Sequence, residues 1–194
     1  MVSRIPARSL LLALLLAACG DNPAGPIPGG GDPENISLVR VVLGPEGGGE
    51  ALESTRVDPD GAQLPLPPGP ATATLALRQG VTYTGHVEIL NELDPEAVVN
   101  VVEEIEAEAD FHRFFYTLSC PGVTVPVASF NVDTQIPPAP LGTTFRLVVA
   151  ADAPPTGSCA LTIELRHFET NKGEGTGPNF ETDLALEFPV SVSP

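Results

Sequence analysis

Clusters of proline and glycine divide this chain into short segments, and few folds accept such frequent interruption. The 194 residues include 22 prolines and 19 glycines. Many of the intervening segments alternate apolar and polar residues or are rich in β-branched residues, which is typical of β-strands. Short strands joined by such turns predict an all-β fold, an immunoglobulin-like β-sandwich. The predicted strands are 36–43, 51–57, 71–77, 81–90, 111–118, 123–132, 143–150, 159–168 and 182–192.

One segment departs from the strand pattern and predicts a short acidic helix. Residues 79–112 contain nine acidic residues and no lysine or arginine. Asp94 and Pro95 have the residue types of a helix N-cap and first helical position. An apolar stripe follows at Val98, Val99, Val102 and Ile105. Because like charges four residues apart repel, we expect this helix to be marginally stable on its own.

The amino terminus has the features of an export signal over residues 1–18. Arg4 and Arg8 precede an apolar run, 9–17, which is too short to span a bilayer. Residues 16–20, LAACG, resemble the lipobox of bacterial lipoproteins. The resemblance implies cleavage before Cys19 and acylation of that cysteine, which would hold the protein on a membrane. Glycine rather than aspartate follows Cys19, which favours the outer membrane. The alternative is an ordinary signal peptide with a chance cysteine.

Composition separates a tether from a folded domain. Residues 19–33 are mostly Gly, Pro, Asn, Asp and Ala, which predicts a flexible tether. The β-sandwich domain is expected to occupy residues 34–194. Within it, Cys120 and Cys159 form an even pair, and in an exported protein such a pair predicts a disulfide. Two buried free thiols are the alternative.

Residues 102–116, VEEIEAEADFHRFFY, combine an acidic run with a histidine and an aromatic triplet. This pattern resembles a family of small lipoproteins found in Bacteroidota and related phyla. LRH at 165–167 with NK at 171–172, and ETD at 181–183, also match, so the likeness covers most of 35–192. The resemblance implies a lipid-anchored envelope protein. The family's DPDGDGG loop is matched only in its first part, DPDG at 58–61, so we expect a turn there rather than a calcium site.

The acidic segment also contains a candidate metal site. Glu104, Glu108 and His112 are spaced at i, i+4 and i+8, so they share one face if the helix continues to His112. Two carboxylates and an imidazole suit zinc or iron, and His86 and His167 could complete the site from neighbouring strands. The alternative is a solvated acidic helix, with His112 at the start of a strand. No other cofactor is predicted.

Charge and motif content exclude several functions. With 25 acidic and 9 basic residues, the chain lacks the basic surface of a nucleic-acid-binding protein. No nucleophile-elbow or zinc-protease motif occurs, and the carboxylate pairs within 103–108 lack an environment that would raise a pKa, so we predict no enzyme activity. We expect an outer-membrane-anchored binding or accessory module, for which a receptor protein is a possible partner. The alternatives are a divalent-metal-binding lipoprotein and a structural envelope protein.

Overall fold

The structure is a computed structural model that describes residues 35–58, 69–169, 172 and 179–194. The predicted signal peptide, Cys19, the tether, the loop beyond Asp58 and the NK pair's Asn171 lie outside the described residues. No helix among the described residues has the length and hydropathy needed to cross a membrane. The elements are β1 (Leu38–Pro45), β2 (Leu52–Val57), β3 (Leu75–Arg78), β4 (Thr82–Asn91), β5 (Val99–Asn100), α1 (Val101–Ala107), β6 (His112–Leu118), β7 (Val123–Thr124), a 3₁₀ helix (Val127–Ser129), β8 (Thr144–Val149), β9 (Thr156–Phe168) and β10 (Phe180–Ser193).

The strands form two sheets, which confirms the predicted all-β class with one short helix. The first sheet has the order β2-β1-β4-β8-β7, and β5 pairs with the end of β4. The second sheet has the order β3-β10-β9-β6. Every pairing is antiparallel except that of β3 with β10. Antiparallel neighbours joined by tight turns are what the alternating pattern and the turn residues favour.

The core is built from the alternate residues of both sheets that face each other. Val41 and Leu43 of β1 and Ile163 of β9 are completely buried. Gly85 of β4 is required by this packing, because a Cβ there would lie 2.5 Å from the ring of Phe145. The two sheets therefore share one hydrophobic core in a sandwich-like arrangement.

The strand prediction for residues 123–132 fails over most of its length. Residues 123–132 were expected to form a strand, but only Val123–Thr124 does so; a 3₁₀ helix follows, and Val132 makes an isolated bridge with Pro140. Pro126 has no N–H to donate to a ladder. Asn131 instead organises the segment, since its Oδ1 accepts from the N–H groups of Gly142 at 3.0 Å and Thr144 at 3.1 Å. Side-chain hydrogen bonding thus replaces strand pairing here.

The acidic helix is shorter than the pattern suggests and begins later. Asp94 starts a turn, in which its carbonyl accepts from the N–H of Ala97 at 3.0 Å. The helix begins at Val101, and the side chain of Asn100 caps it by accepting from Val102 N–H at 3.2 Å. Val101 and Ile105 are its buried residues. The predicted stripe was therefore wrong at Val98 and Val99, which are exposed.

The disulfide prediction is confirmed. Cys120 and Cys159 are bonded, with their Cα atoms 5.3 Å apart. The bond joins the turn after β6 to the beginning of β9, so it links two neighbouring strands of the second sheet. Cys120 is buried, and its environment is part of the core.

Candidate metal centre

The turn between α1 and β6 places two side chains of the acidic segment close together. The helix ends at Ala107, and Glu108 caps it by donating its N–H to the carbonyl of Glu104 over 3.0 Å. The carbonyl of Glu108 accepts from the N–H of Phe111 at 2.9 Å and lies 3.2 Å from Nδ1 of His112. His112 therefore begins β6 with one nitrogen of its ring next to the carbonyl of the residue that caps the helix.

His112 and His167 lie side by side on neighbouring strands. They are direct partners in the antiparallel register of β6 and β9, which places their side chains on the same face of the sheet. Their ring centroids are 4.5 Å apart and the ring planes are inclined by 43°. His112 is completely buried and His167 is half-buried. A neutral imidazole is the form of histidine that binds metal ions.

Glu108, His112 and His167 form one group of potential metal ligands. A carboxylate oxygen and one nitrogen of each ring lie within 4.8 Å of one another. Two ligands of a tetrahedral zinc ion, with bonds of about 2.1 Å, stand about 3.4 Å apart. The three atoms would have to approach one another by up to about 1.5 Å to reach that distance. Two imidazoles and a carboxylate suit Zn²⁺ or Fe²⁺.

The contact between His112 and the Glu108 carbonyl selects the ring nitrogen that would bind a cation. A carbonyl oxygen can only accept, so this contact places the proton on Nδ1. The other ring nitrogen, Nε2, lies 3.9 Å from Oδ2 of Asp183. In metal sites the second ring nitrogen of a histidine ligand commonly donates to a carbonyl or carboxylate in this way, which fixes the ring.

The structure brings together two of the three ligands predicted from helix spacing and groups them with a different third residue. Glu104 lies on the exposed side of α1, outside the group found among the described residues. The predicted spacing required a helix that continues to His112, but α1 ends at Ala107 and His112 lies in a strand. His167, considered from the sequence as a completing residue, is in the group, whereas His86 is exposed on β4 and is not.

A buried ion pair also stabilises the turn between α1 and β6. Lys172 is the only lysine in the chain. Its ammonium group lies 3.0 Å from Oδ2 of Asp133, with both side chains completely buried, and it also donates to the carbonyl of Ala109. The carbonyl of Asp110 accepts from the N–H of Lys172 at 2.9 Å and from Nε2 of Gln135 at 3.3 Å. The turn between α1 and β6 is thus fixed by two other segments.

The environment shifts the pKa values of both members of this ion pair. Burial lowers the pKa of Lys172, although Asp133 beside it acts in the opposite direction. Burial by itself would raise the pKa of Asp133, but hydrogen bonds from Ala139, Lys172 and Gln135 outweigh it and hold the pKa below its ordinary value. The N–H groups of Ala139 and Gln135 lie 2.8 and 3.1 Å from Oδ1 of Asp133. Asp133 is therefore ionised at neutral pH.

The other residues selected from the sequence have structural environments. The ring of Tyr116 lies 4.2 Å from that of Phe145 in the opposite sheet, so this part of the aromatic triplet contributes to the core. Arg166 stacks on the ring of Phe115 at 4.2 Å on the outer face of the second sheet. The adjacent His167 points to the inner face, so Arg166 and His167 of the LRH stretch lie on opposite faces of the sheet.

The functional assignment of this chain rests on its residues and their geometry. No protein-family model, curated protein or solved structure matches the chain.

Two features of this region had no clear signal in the sequence. Asp183 belongs to the ETD stretch, but no spacing relates it to His112, which is on a different strand. The ion pair of Lys172 with Asp133 joins segments that are far apart in the chain. The presence of a single lysine in an acidic chain was the one available hint, because lysine is almost never fully buried unless it is paired.

Proposed function

We propose that this chain is a divalent-metal-binding protein of the cell envelope, and that Glu108, His112 and His167 hold the cation. The observation that supports this most is the convergence of one carboxylate and two imidazoles within 4.8 Å. The ligand types favour Zn²⁺ or Fe²⁺ over Ca²⁺, which prefers oxygen ligands. The net charge of −16 raises the local concentration of cations, but it defines no coordination geometry. We therefore assign selectivity to the three side chains.

Calorimetric titration of the purified full chain, after treatment with a chelator, tests this proposal. We expect one site for Zn²⁺ or Fe²⁺ and only weak, salt-sensitive binding of Ca²⁺. Glu108→Gln and His167→Ala should each weaken the site by at least about 100-fold, since removal of an outer-shell partner alone often costs 10–100-fold. His112→Gln should do the same, with circular dichroism used to confirm that this buried position still permits folding.

Glu104→Ala is the matched control, because it removes an exposed glutamate side chain four residues before Glu108 that lies outside the group. It should bind like wild type. Equal weakening by Glu104→Ala and Glu108→Gln would contradict the proposal and would indicate a diffuse acidic surface. Wild-type affinity in both Glu108→Gln and His167→Ala would also contradict it.

We also propose that the domain is a lipid-anchored module with an immunoglobulin-like sandwich. The lipobox-like residues 16–20 and the resemblance of residues 102–116 to small envelope lipoproteins support the anchor. The two packed sheets and their predominantly antiparallel pairing support the fold. The disulfide differs from that of antibody domains, which joins the two sheets, because Cys120 and Cys159 link β9 to the turn after its neighbour β6. A receptor partner and a purely structural role remain further proposals, which a pull-down from solubilised membranes separates.

Fractionation of cells that express the full chain tests the anchor. We expect the wild-type protein in the outer-membrane fraction and a Cys19→Ala variant outside it, because the substitution removes the acylated thiol. Mass spectrometry of the amino-terminal peptide should show the lipid only in the wild type. Asn22→Ala, three residues away, is the control and should remain in the membrane. Membrane retention of Cys19→Ala would contradict the lipid anchor and leave metal binding unaffected.

A further inference from the structure

The chain enters the sandwich at one end of the first sheet, which we call the entry end. β1 begins there, and its first residue, Leu38, is paired with Val57 of β2 and with Leu90 of β4. Just before β1, the N–H of Ser37 donates to the carbonyl of Leu90 at 3.0 Å. The entry end therefore also contains the end of β2, the end of β4 and the short strand β5, in which Val99 pairs with Asn91.

The loop 132–140 lies at the same end. β8 is antiparallel to β4, and its first residue, Thr144, pairs with His86. The residues that precede β8 therefore lie toward the end of β4. Gln135 of the loop also donates from Nε2 to the carbonyl of Asp110 at 3.3 Å, in the turn that follows α1. Since α1 directly follows β5, the helix and the loop are both at the entry end.

Exposed apolar side chains are concentrated at the entry end. Within the described ranges, seven large hydrophobic residues are exposed, and Val127 is the one that lies elsewhere. It belongs to the 3₁₀ helix beside the middle of β8, where Oγ of Ser129 accepts from the N–H of Arg146 at 3.0 Å. A concentration of exposed apolar residues indicates a contact surface. The six residues at the entry end are Val57, Leu93, Val98, Val99, Val132 and Ile136.

Ile136 projects furthest into solvent, from a loop with a firmly held base. Its side chain is 99% exposed. Val132 and Pro140 form a bridge across the base of the loop. Between them, the N–H of Asp133 donates to the carbonyl of Ala139 at 2.9 Å, and Oδ1 of Asp133 accepts from the N–H of Ala139 at 2.8 Å. Because this base is already ordered, a contact made by Ile136 costs little conformational entropy.

The loop also belongs to the least charged part of the chain. Between Arg113 and Arg146 the only charged residue is Asp133, which is completely buried beside Lys172. The rest of the entry end includes exposed carboxylates, among them Glu96. An uncharged apolar tip flanked by carboxylates suits a neutral apolar environment, and the carboxylates are repelled by an anionic surface.

The position of the proposed lipid anchor indicates which environment the tip meets. Asn35, the first described residue, is 16 residues after Cys19. A chain of that length spans at most about 55 Å. A lipid on Cys19 would therefore hold the entry end within that distance of the bilayer surface. A weak contact then suffices, because the anchor makes the contact effectively intramolecular.

We propose that the entry end of the sandwich faces the membrane that carries the lipid anchor, and that Ile136 inserts its side chain into a zwitterionic bilayer. This inference rests on the proposed lipid anchor. Insertion removes the apolar side chain from water, which is favourable. The contact would give the domain a fixed orientation on the membrane.

Tryptophan fluorescence tests the contact, because the chain has no tryptophan of its own. The acylated full chain with Ile136→Trp is reconstituted into phosphatidylcholine vesicles with and without brominated acyl chains, which quench tryptophan at short range. We expect its emission to shift to shorter wavelength on reconstitution and to lose intensity in the brominated vesicles. Phosphatidylglycerol should reduce both effects, since anionic lipid repels the neighbouring carboxylates.

Val127→Trp is the matched control, since it places a tryptophan at the exposed apolar residue outside the entry end. It should show neither the shift nor the quenching. Unaltered emission from Ile136→Trp in protein that floats with the vesicles would overturn the contact and favour a protein partner for this end. Equal quenching of both variants would also overturn the assignment of Ile136. A wild-type chain that does not float with the vesicles would instead refute the lipid anchor and, with it, this contact.

Discussion

Lys172→Met should lower the free energy of unfolding by about 3–5 kcal/mol, the loss typical when one partner of a buried ion pair is removed. The substitution keeps the apolar stem but leaves the ionised carboxylate of Asp133 completely buried beside it. It also removes the hydrogen bond to the carbonyl of Ala109. Urea denaturation of the full chain at pH 7, followed by circular dichroism, measures the change.

Two comparisons isolate the buried pair as the cause. The double variant Lys172→Met with Asp133→Asn should lose less stability than the sum of the two single variants, because no buried charge is left. Arg146→Ala removes a surface ion pair with Glu46, whose atoms approach to 2.6 Å, and should cost far less because both groups are solvated. An equal loss in Lys172→Met and Arg146→Ala would show that burial of the charge is unimportant.

The ion pair of Lys172 with Asp133 also makes the stability of the folded protein decrease at acidic pH. The pKa of Asp133 is lower in the folded protein than its ordinary value of 3.8. Its contribution to stability is therefore complete above about pH 4 and is lost as the pH falls through the lower, folded-state value. Asp133→Asn should remove this part of the decline, so the stabilities of wild type and variant should approach each other in acid. Parallel curves would contradict the linkage.

Removing the disulfide should cost about 4 kcal/mol in the chain-entropy description of a loop of this size. Cys120 and Cys159 are separated by 39 residues in the sequence, so the bond restricts a long loop in the unfolded chain. Cys120→Ala with Cys159→Ala should show this loss in urea denaturation. Adding a reductant to the wild type should reproduce it, and the reductant should not change the double variant. A double variant as stable as the oxidised wild type would contradict the prediction.

The strands were predictable where one face of the chain is buried. The alternation in 81–90 and 159–168 is reproduced by β4 and β9, since side chains of period two must face the core on one side. The segment 123–132 was not predictable, because its conformation depends on hydrogen bonds that the Asn131 side chain accepts from the N–H groups of Gly142 and Thr144. The late start of the helix depends on pairing of Val99–Asn100 with β4, which is also a tertiary contact.

The candidate site was predictable in its residue types and only partly in its members. Local spacing identified Glu108 and His112, which the same turn brings together. His167 required the register of β6 with β9, which the spacing of residues along the chain does not reveal. Glu104 was selected because a regular helix was assumed to continue, and the end of α1 at Ala107 removes that relation. Secondary-structure boundaries therefore determined which ligands could be found.

The central place of β10 in the second sheet has a consequence for the order of folding. β3 lies early in the chain, but its partner in the sheet is the segment Val190–Ser193, more than a hundred residues later. Before these residues join the sheet, β3 has no partner among the described strands and β9 has only β6 beside it. Such non-local pairing slows folding, because a large loop must close before the contacts stabilise it. A partly folded chain of this protein therefore exposes unpaired strand edges until its last strand is in place, and these are the edges at which association with other chains begins.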